Sequence, residues 1–127
     1  MGKANMRAAI YVKAIPEKSA RSQVVALKQL IKQRGLTLCA EYVDPPDSKR
    51  VQVRNAARIQ LIDDLLHSKY DVVLTWKLGL LGTDDLLWVL SEVHVKRGVQ
   101  IVAVADEIDT AAGDGMVAKV IKALAAV

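Results

Sequence analysis

An α/β fold of three layers, a mostly parallel β-sheet flanked by helices, is what this sequence predicts. Three observations carry the prediction. Short β-branched and apolar runs alternate with longer segments whose apolar residues recur at helical spacing. Turn and stop signals fall between them, at Gly35 and at Asp44-Pro45-Pro46-Asp47. The 127 residues are 52% hydrophobic with a mean hydropathy of +0.20, enough to bury a core and too apolar for a disordered chain. Crossovers in such a sheet are right-handed, and ligand or catalytic groups gather at the carboxyl ends of its strands.

The elements follow in order. Residues 8–12 predict a first strand. Residues 22–33 carry Val24, Val25, Leu27, Leu30 and Ile31 on one helical face, with Ser19 or Ser22 as cap and Gly35 as the C-terminal stop. Residues 36–43 read as a second strand, ended by two prolines that cannot continue a ladder. Residues 54–66, with Ile59, Ile62, Leu65 and Leu66, predict a second helix, and residues 72–76 a third strand. Residues 84–97 predict a third helix, with Thr83 as N-cap and Asp84-Asp85 at its positive end. Residues 99–104 predict a fourth strand, and residues 116–126 begin a last helix. No repeat or low-complexity tract divides the chain, so residues 1–127 are expected to form a single domain.

Charge and cysteine usage narrow the function classes. A net charge of +4 and a pI of 9.3 suit an anionic partner such as nucleic acid, by a modest margin. No apolar run approaches the ~18 residues of a membrane span. The basic start of the chain lacks the apolar stretch of a signal peptide. Cys39 is the single cysteine, so no internal disulfide forms and a reducing cytoplasm is expected. Cys39 lies in an apolar strand and reads as an inert core thiol. Neighbouring helical residues point about 100° apart. Asp63-Asp64 and Asp84-Asp85 therefore read as solvated faces rather than a metal site, and His67 and His94 lack paired ligands. Neither metal nor cofactor is expected.

The most informative stretch is Asp71-Val-Val-Leu-Thr-Trp-Lys-Leu-Gly-Leu-Leu-Gly-Thr-Asp84, a buried-type strand running through a Lys-Leu turn toward a helix start. Around it stand, in order, Met6-Arg-Ala-Ala-Ile-Tyr-Val-Lys13, Ser22-Gln23-Val-Val-Ala-Leu27, Glu41-Tyr-Val-Asp44, Arg97-Gly-Val99, Glu107-Ile-Asp-Thr110 and the segment from Val120. Together these resemble the catalytic domain of the serine recombinases, the resolvase/invertase family.

The resemblance implies a resolvase-like catalytic fold and DNA strand exchange. In active members a serine after the first strand attacks a DNA phosphate. That chemistry needs a nucleophile and fixed positive charge on the phosphate oxygens, for which arginine forks are suited. The matching nucleophile slot here is Ala14 or Ile15, depending on the frame, and neither carries a hydroxyl. The family's Asp-Arg pair and later Arg stand as Gly79, Leu80 and Thr83, while Trp76-Lys77-Leu78 and Leu81-Gly82 keep the frame. Leu80 either packs inward or adds to a surface patch. An Arg-Pro pair opening the second helix matches Arg54-Asn55 or lies one residue away.

Candidate phosphate contacts are Lys13, Arg50, Arg54 and Lys77, with Ser48, Lys49 and Arg58 in the same basic cluster. Ser19 and Ser48 are the alternative nucleophiles, and neither has a neighbouring base. The leading expectation is a catalytically inactive, cytoplasmic recombinase homologue with a regulatory or accessory role, or a mobile-element remnant. Its expected partners are a second copy, another recombinase, or DNA bound weakly. The alternatives are a non-cleaving DNA-binding accessory and an active recombinase with a displaced serine. The family's full long helix and C-terminal DNA-binding domain are not expected within these residues, so a dimer needs a reduced or different interface.

Overall fold

Strand order in the sheet is β2-β1-β3-β4-β5, with β1 at Arg7–Lys13, β2 at Thr37–Asp44, β3 at Val72–Thr75, β4 at Gln100–Ala103 and β5 at Ile108–Asp109. The computed structural model describes residues 6–46, 55–82 and 84–110. Pairings β1–β2, β1–β3 and β3–β4 are parallel and β4–β5 is antiparallel. The helices are α1 at Ala20–Gln33, α2 at Ala56–Leu66 and α3 at Leu86–Val89.

Strand alternation divides the core into two faces. Ala8, Ile10 and Val12 of β1, with Val72, Leu74 and Val102, pack on Leu27 and Ile31 of α1. Ala9, Tyr11, Val73, Ile101 and Ala103 point the other way, onto Leu61 and Leu65 of α2 and Leu86, Val89 and Val93 after β3. Each such fully buried aliphatic side chain contributes about 1.5–3 kcal/mol. The central strands are apolar on both faces because helices cover both. The three-layer, mostly parallel architecture read from the sequence is therefore the one observed.

Helix α1 starts at Ser19, whose side chain accepts from the Ser22 N–H at 3.1 Å. It stops at Gly35, in left-handed backbone with φ 66°, where the Leu36 N–H reaches Ile31 O at 3.0 Å. Helix α2 begins after Asn55, two residues later than the periodicity indicated.

Four expectations change. The third helix is not a regular α-helix over 84–97. It is α-helical only at Leu86–Val89 and continues through Leu90–Val95 as a widened π turn, closed by the Lys96 N–H on Ser91 O at 2.9 Å. The β-branched Val89, Val93 and Val95 weaken the α-helical preference there. Ile108–Asp109, assigned to no element from the sequence, pairs with β4 as a short strand. Two residues are too few to show a period. Cys39 is exposed, not a core thiol. Alternation along β2, an edge strand, puts Cys39 out with Thr37, Glu41 and Val43. Asp64 is not a solvated helix residue: it is buried, while Asp63 beside it is exposed. The last predicted helix, 116–126, and the Thr83 cap lie outside the described residues.

Candidate nucleic-acid interface at the carboxyl edge of the sheet

Parallel strands β1, β3 and β4 end at one edge, and the loops that follow them meet there. After β1, Ile15 and Lys18 exchange backbone hydrogen bonds of 3.0 and 3.1 Å around Pro16-Glu17, a tight turn. Gln23, buried in the first turns of α1, holds this loop from below. Its amide donates to Lys13 O at 2.7 Å and Lys18 O at 3.1 Å, and its carbonyl accepts from the Lys13 N–H at 3.3 Å. The Gln in the Ser22-Gln23 motif is thus a loop anchor.

Asp44, at the end of β2, is the second anchor. Asn55 precedes α2 in left-handed backbone with φ 57° and makes no side-chain cap. Asp44 caps that helix instead, accepting from the Ala57 N–H at 2.8 Å and the Arg58 N–H at 3.0 Å. The Tyr11 hydroxyl donates to the same carboxylate at 2.5 Å. An anion at a helix N-terminus is favourable both for the open N–H groups and for the helix dipole. The sequence flagged Asp44 within a motif but gave it no role, because its partners lie in β1 and α2.

After β3 the chain forms a 3₁₀ turn at Leu78–Leu81. Leu78 and Leu81 are buried, and Leu80 packs half-buried against the same core, so the inward alternative holds for it in part. Asp106, from the loop after β4, accepts from the Leu78 N–H at 2.7 Å. Gly82 is retained for space: a Cβ there would stand 2.9 Å from Leu86 Cα and 3.0 Å from Asp85 Oδ1.

The cations of this edge each meet an internal partner. Lys77 Nζ contacts Glu17 Oε2 at 2.7 Å. Lys13 Nζ donates to Asn55 Oδ1 at 3.2 Å. Lys18 Nζ lies 4.4 Å from the centre of the Trp76 ring, a cation–π contact. Arg58 reaches Leu81 O at 3.2 Å and Asp85 Oδ2 at 3.3 Å, and its Nε is buried without a hydrogen-bond partner among the described residues. The hydrogen bond from Lys77 holds the Glu17 carboxyl below its usual range, and Glu17 raises Lys77 in turn.

The expected site residues are thus partly brought together. Lys13 and Lys77 stand at one edge with Ala14, Ile15, Gly79 and Leu80. Arg50, Arg54, Ser48, Lys49 and Thr83 lie outside the described residues. Ser19 is engaged as the α1 cap, and its hydroxyl also donates to Ser22 Oγ at 3.0 Å. Glu17 and Gln23 were missed as site residues; a carboxylate beside the turn-forming Pro16 was the available signal. Among the described residues no group of three or more His, Cys, Asp or Glu side chains converges as a metal site. No helix among them is long and apolar enough to cross a membrane.

This edge carries the loop frame of Trp76-Lys77-Leu78 and Leu81-Gly82 on a β2-β1-β3-β4-β5 sheet. The family model described as "Resolvase, N terminal domain" matches residues 13–127. The chain belongs to the resolvase family. Solved structures with the same fold include the N-terminal catalytic domain of TP901-1 integrase, 24% identical with a TM-score of 0.73 over 94% of this chain and 93% of that one. A resolvase family site-specific recombinase from Streptococcus pneumoniae is 19% identical, with a TM-score of 0.73 over 96% and 87%. The C-terminal catalytic domain of ISC1926 TnpA, an IS607-like serine recombinase, is 18% identical, with a TM-score of 0.63 over 95% and 79%. No curated protein matches the chain.

Proposed function

We propose that this resolvase-family domain does not cleave DNA but serves DNA recombination in a regulatory or accessory role, meeting DNA phosphates through its carboxyl edge. One observation carries the reading. The loop after β1, where the family resemblance calls for a nucleophile, runs Lys13-Ala-Ile-Pro-Glu-Lys18 without a hydroxyl or thiol, and it is fastened shut by Gln23. Gly79 and Leu80 add no charge to stabilise a phosphate transition state, which needs cationic donors. Ser19, the first serine after this loop, already serves as a helix cap, which weighs against a displaced nucleophile.

Lys13, Arg50 and Arg54 are the phosphate contacts in this reading, with Lys77 a further candidate at the same edge, and a second copy or another recombinase is the protein partner. The test is incubation with supercoiled plasmid followed by denaturing electrophoresis. The expected result is no covalent protein–DNA adduct and no nicking. An adduct would overturn the reading, and its loss in Ser19→Ala or Ser48→Ala would identify a displaced nucleophile. Binding to duplex DNA should weaken with salt, log K falling by about 0.9 per decade of salt for each phosphate neutralised. Undetectable binding at low salt removes the DNA contact from the proposal.

A further inference from the structure

We propose that Glu17 is a built-in counter-anion that keeps Lys77 off nucleic-acid phosphate, so that the loop after β1 sets a low affinity of this edge for DNA. The inference rests on the DNA contact proposed above and adds a device that regulates it.

An exposed lysine–glutamate pair is ordinarily a weak surface contact. The construction of this one sets it apart. Pro16 fixes one backbone angle of the turn, and the Ile15–Lys18 hydrogen bonds close it. Lys18, next to Glu17, lies over Trp76, next to Lys77. Gln23 bridges both ends of the loop through Lys13 O and Lys18 O. Glu17 is thereby held opposite Lys77 at 2.7 Å at little further cost in side-chain order.

Lys77 also has no structural task that would explain the pairing. Its ammonium meets the Glu17 carboxylate and feels the charge of Asp106 nearby, but among the described residues it caps no backbone carbonyl. A phosphate oxygen is the same kind of acceptor as the carboxylate it would replace. The loop that would carry a nucleophile in the resembled family thus carries, in this chain, an anion that competes with the substrate's own charge.

The test compares binding of a fluorescently labelled mixed-sequence duplex by the wild type and by Glu17→Gln, Lys77→Gln and the double variant, across about 50 to 200 mM salt. Glu41→Gln, which removes the same charge from β2 where Glu41 pairs with Lys28, is the control. Glu17→Gln is expected to tighten binding about three- to fivefold and to steepen the salt dependence by about one phosphate's worth. Lys77→Gln should change little alone and should abolish the gain in the double variant. If the wild type binds and Glu17→Gln gains no more than Glu41→Gln, or the gain survives without Lys77, the inference is overturned while the DNA contact stands. If no variant binds at low salt, the DNA contact fails and the inference with it.

Discussion

At the amino end of the sheet, Arg7 forks onto Asp71 and donates to Ser68 O at 3.0 Å, while Arg97 donates to Leu66 O at 3.2 Å. At the carboxyl end, Asp44 accepts the first N–H groups of α2. Helix α2 thus runs from an anion to two guanidinium groups, each placed against the backbone groups its ends leave open. A polar cavity of about 460 Å³ lies among Met6, Arg7, Ser68, Tyr70, Asp71, Arg97, Gly98 and Val99, and its arginines are already engaged with those carbonyls. The Lys77–Glu17 pair differs in kind. It joins two side chains and terminates no helix. Charges bonded to backbone hold the fold; the Lys77 ammonium, bonded to a side-chain carboxylate, is free to exchange partners.

The largest expected effect lies at the buried member of this comparison. Asp44→Ala removes the carboxylate that accepts from the Ala57 and Arg58 N–H groups and from the Tyr11 hydroxyl. The expected loss is about 3 kcal/mol of unfolding free energy by urea titration, because a lost cap costs about 1 kcal/mol and buried donors that lose this acceptor add to it. Tyr11→Phe removes one donor and keeps the cap, so about 1 kcal/mol is expected. A loss in Asp44→Ala no greater than in Tyr11→Phe would show that the capping bonds carry no weight.

Gly82→Ala asks whether the retained loop frame is structural. The added Cβ would meet the Leu86 backbone at 2.9 Å, so the start of α3 must shift. Overpacking of this kind costs about 1–3 kcal/mol. An unchanged urea midpoint would show that Gly82 is kept for some other reason.

These anchors were only partly legible in the sequence. Strand order along the chain and the apolar faces of α1 and α2 were readable because each rests on residues within one segment. So was the frame around Trp76. The functions of Asp44, Gln23 and Glu17 were not, because each is defined by a partner in another element: Asp44 by Tyr11 and α2, Gln23 by the Lys13–Lys18 loop, Glu17 by Lys77. Asp64 shows the same limit. Its helix position suggests solvent, yet the Tyr42 hydroxyl donates to it, Gln60 and Lys69 each reach its Oδ1 at 3.0 Å, and Tyr70 meets the Tyr42 hydroxyl. Composition cannot reveal a carboxylate whose burial is compensated in large part from outside its own helix, here by Tyr42 and Lys69.

Asp64 gives the next effect, which is read from the pH dependence of stability. The hydrogen bond from Tyr42, with those from Lys69 and Gln60, holds its carboxyl below the ordinary range despite burial, and Arg7 does the same for Asp71. A depressed folded-state value means that the stabilisation is present above the unfolded value, about 4, and is lost as pH falls through the folded values. Stability should therefore decline below about pH 5. Asp64→Asn should be less stable near neutrality and should converge on the wild type in acid. Parallel acid limbs for the two proteins would place the acid sensitivity elsewhere.

The smallest expected effect is the one that separates the two uses of charge. Glu17→Gln and Lys77→Gln each break the 2.7 Å contact but leave the Ile15–Lys18 backbone hydrogen bonds of the loop in place. Both side chains are substantially exposed, at 58% and 44%, so their attraction is screened by water and salt. Their urea midpoints should match the wild type while Glu17→Gln alone alters DNA affinity. Gln23→Leu supplies the contrast, since it strips Lys13 and Lys18 of buried hydrogen-bond partners and should lower the midpoint measurably. Equal destabilisation by Glu17→Gln and Gln23→Leu would mean that the ion pair is part of the scaffold. Lys77 would then be fixed in place, and no phosphate could draw it away.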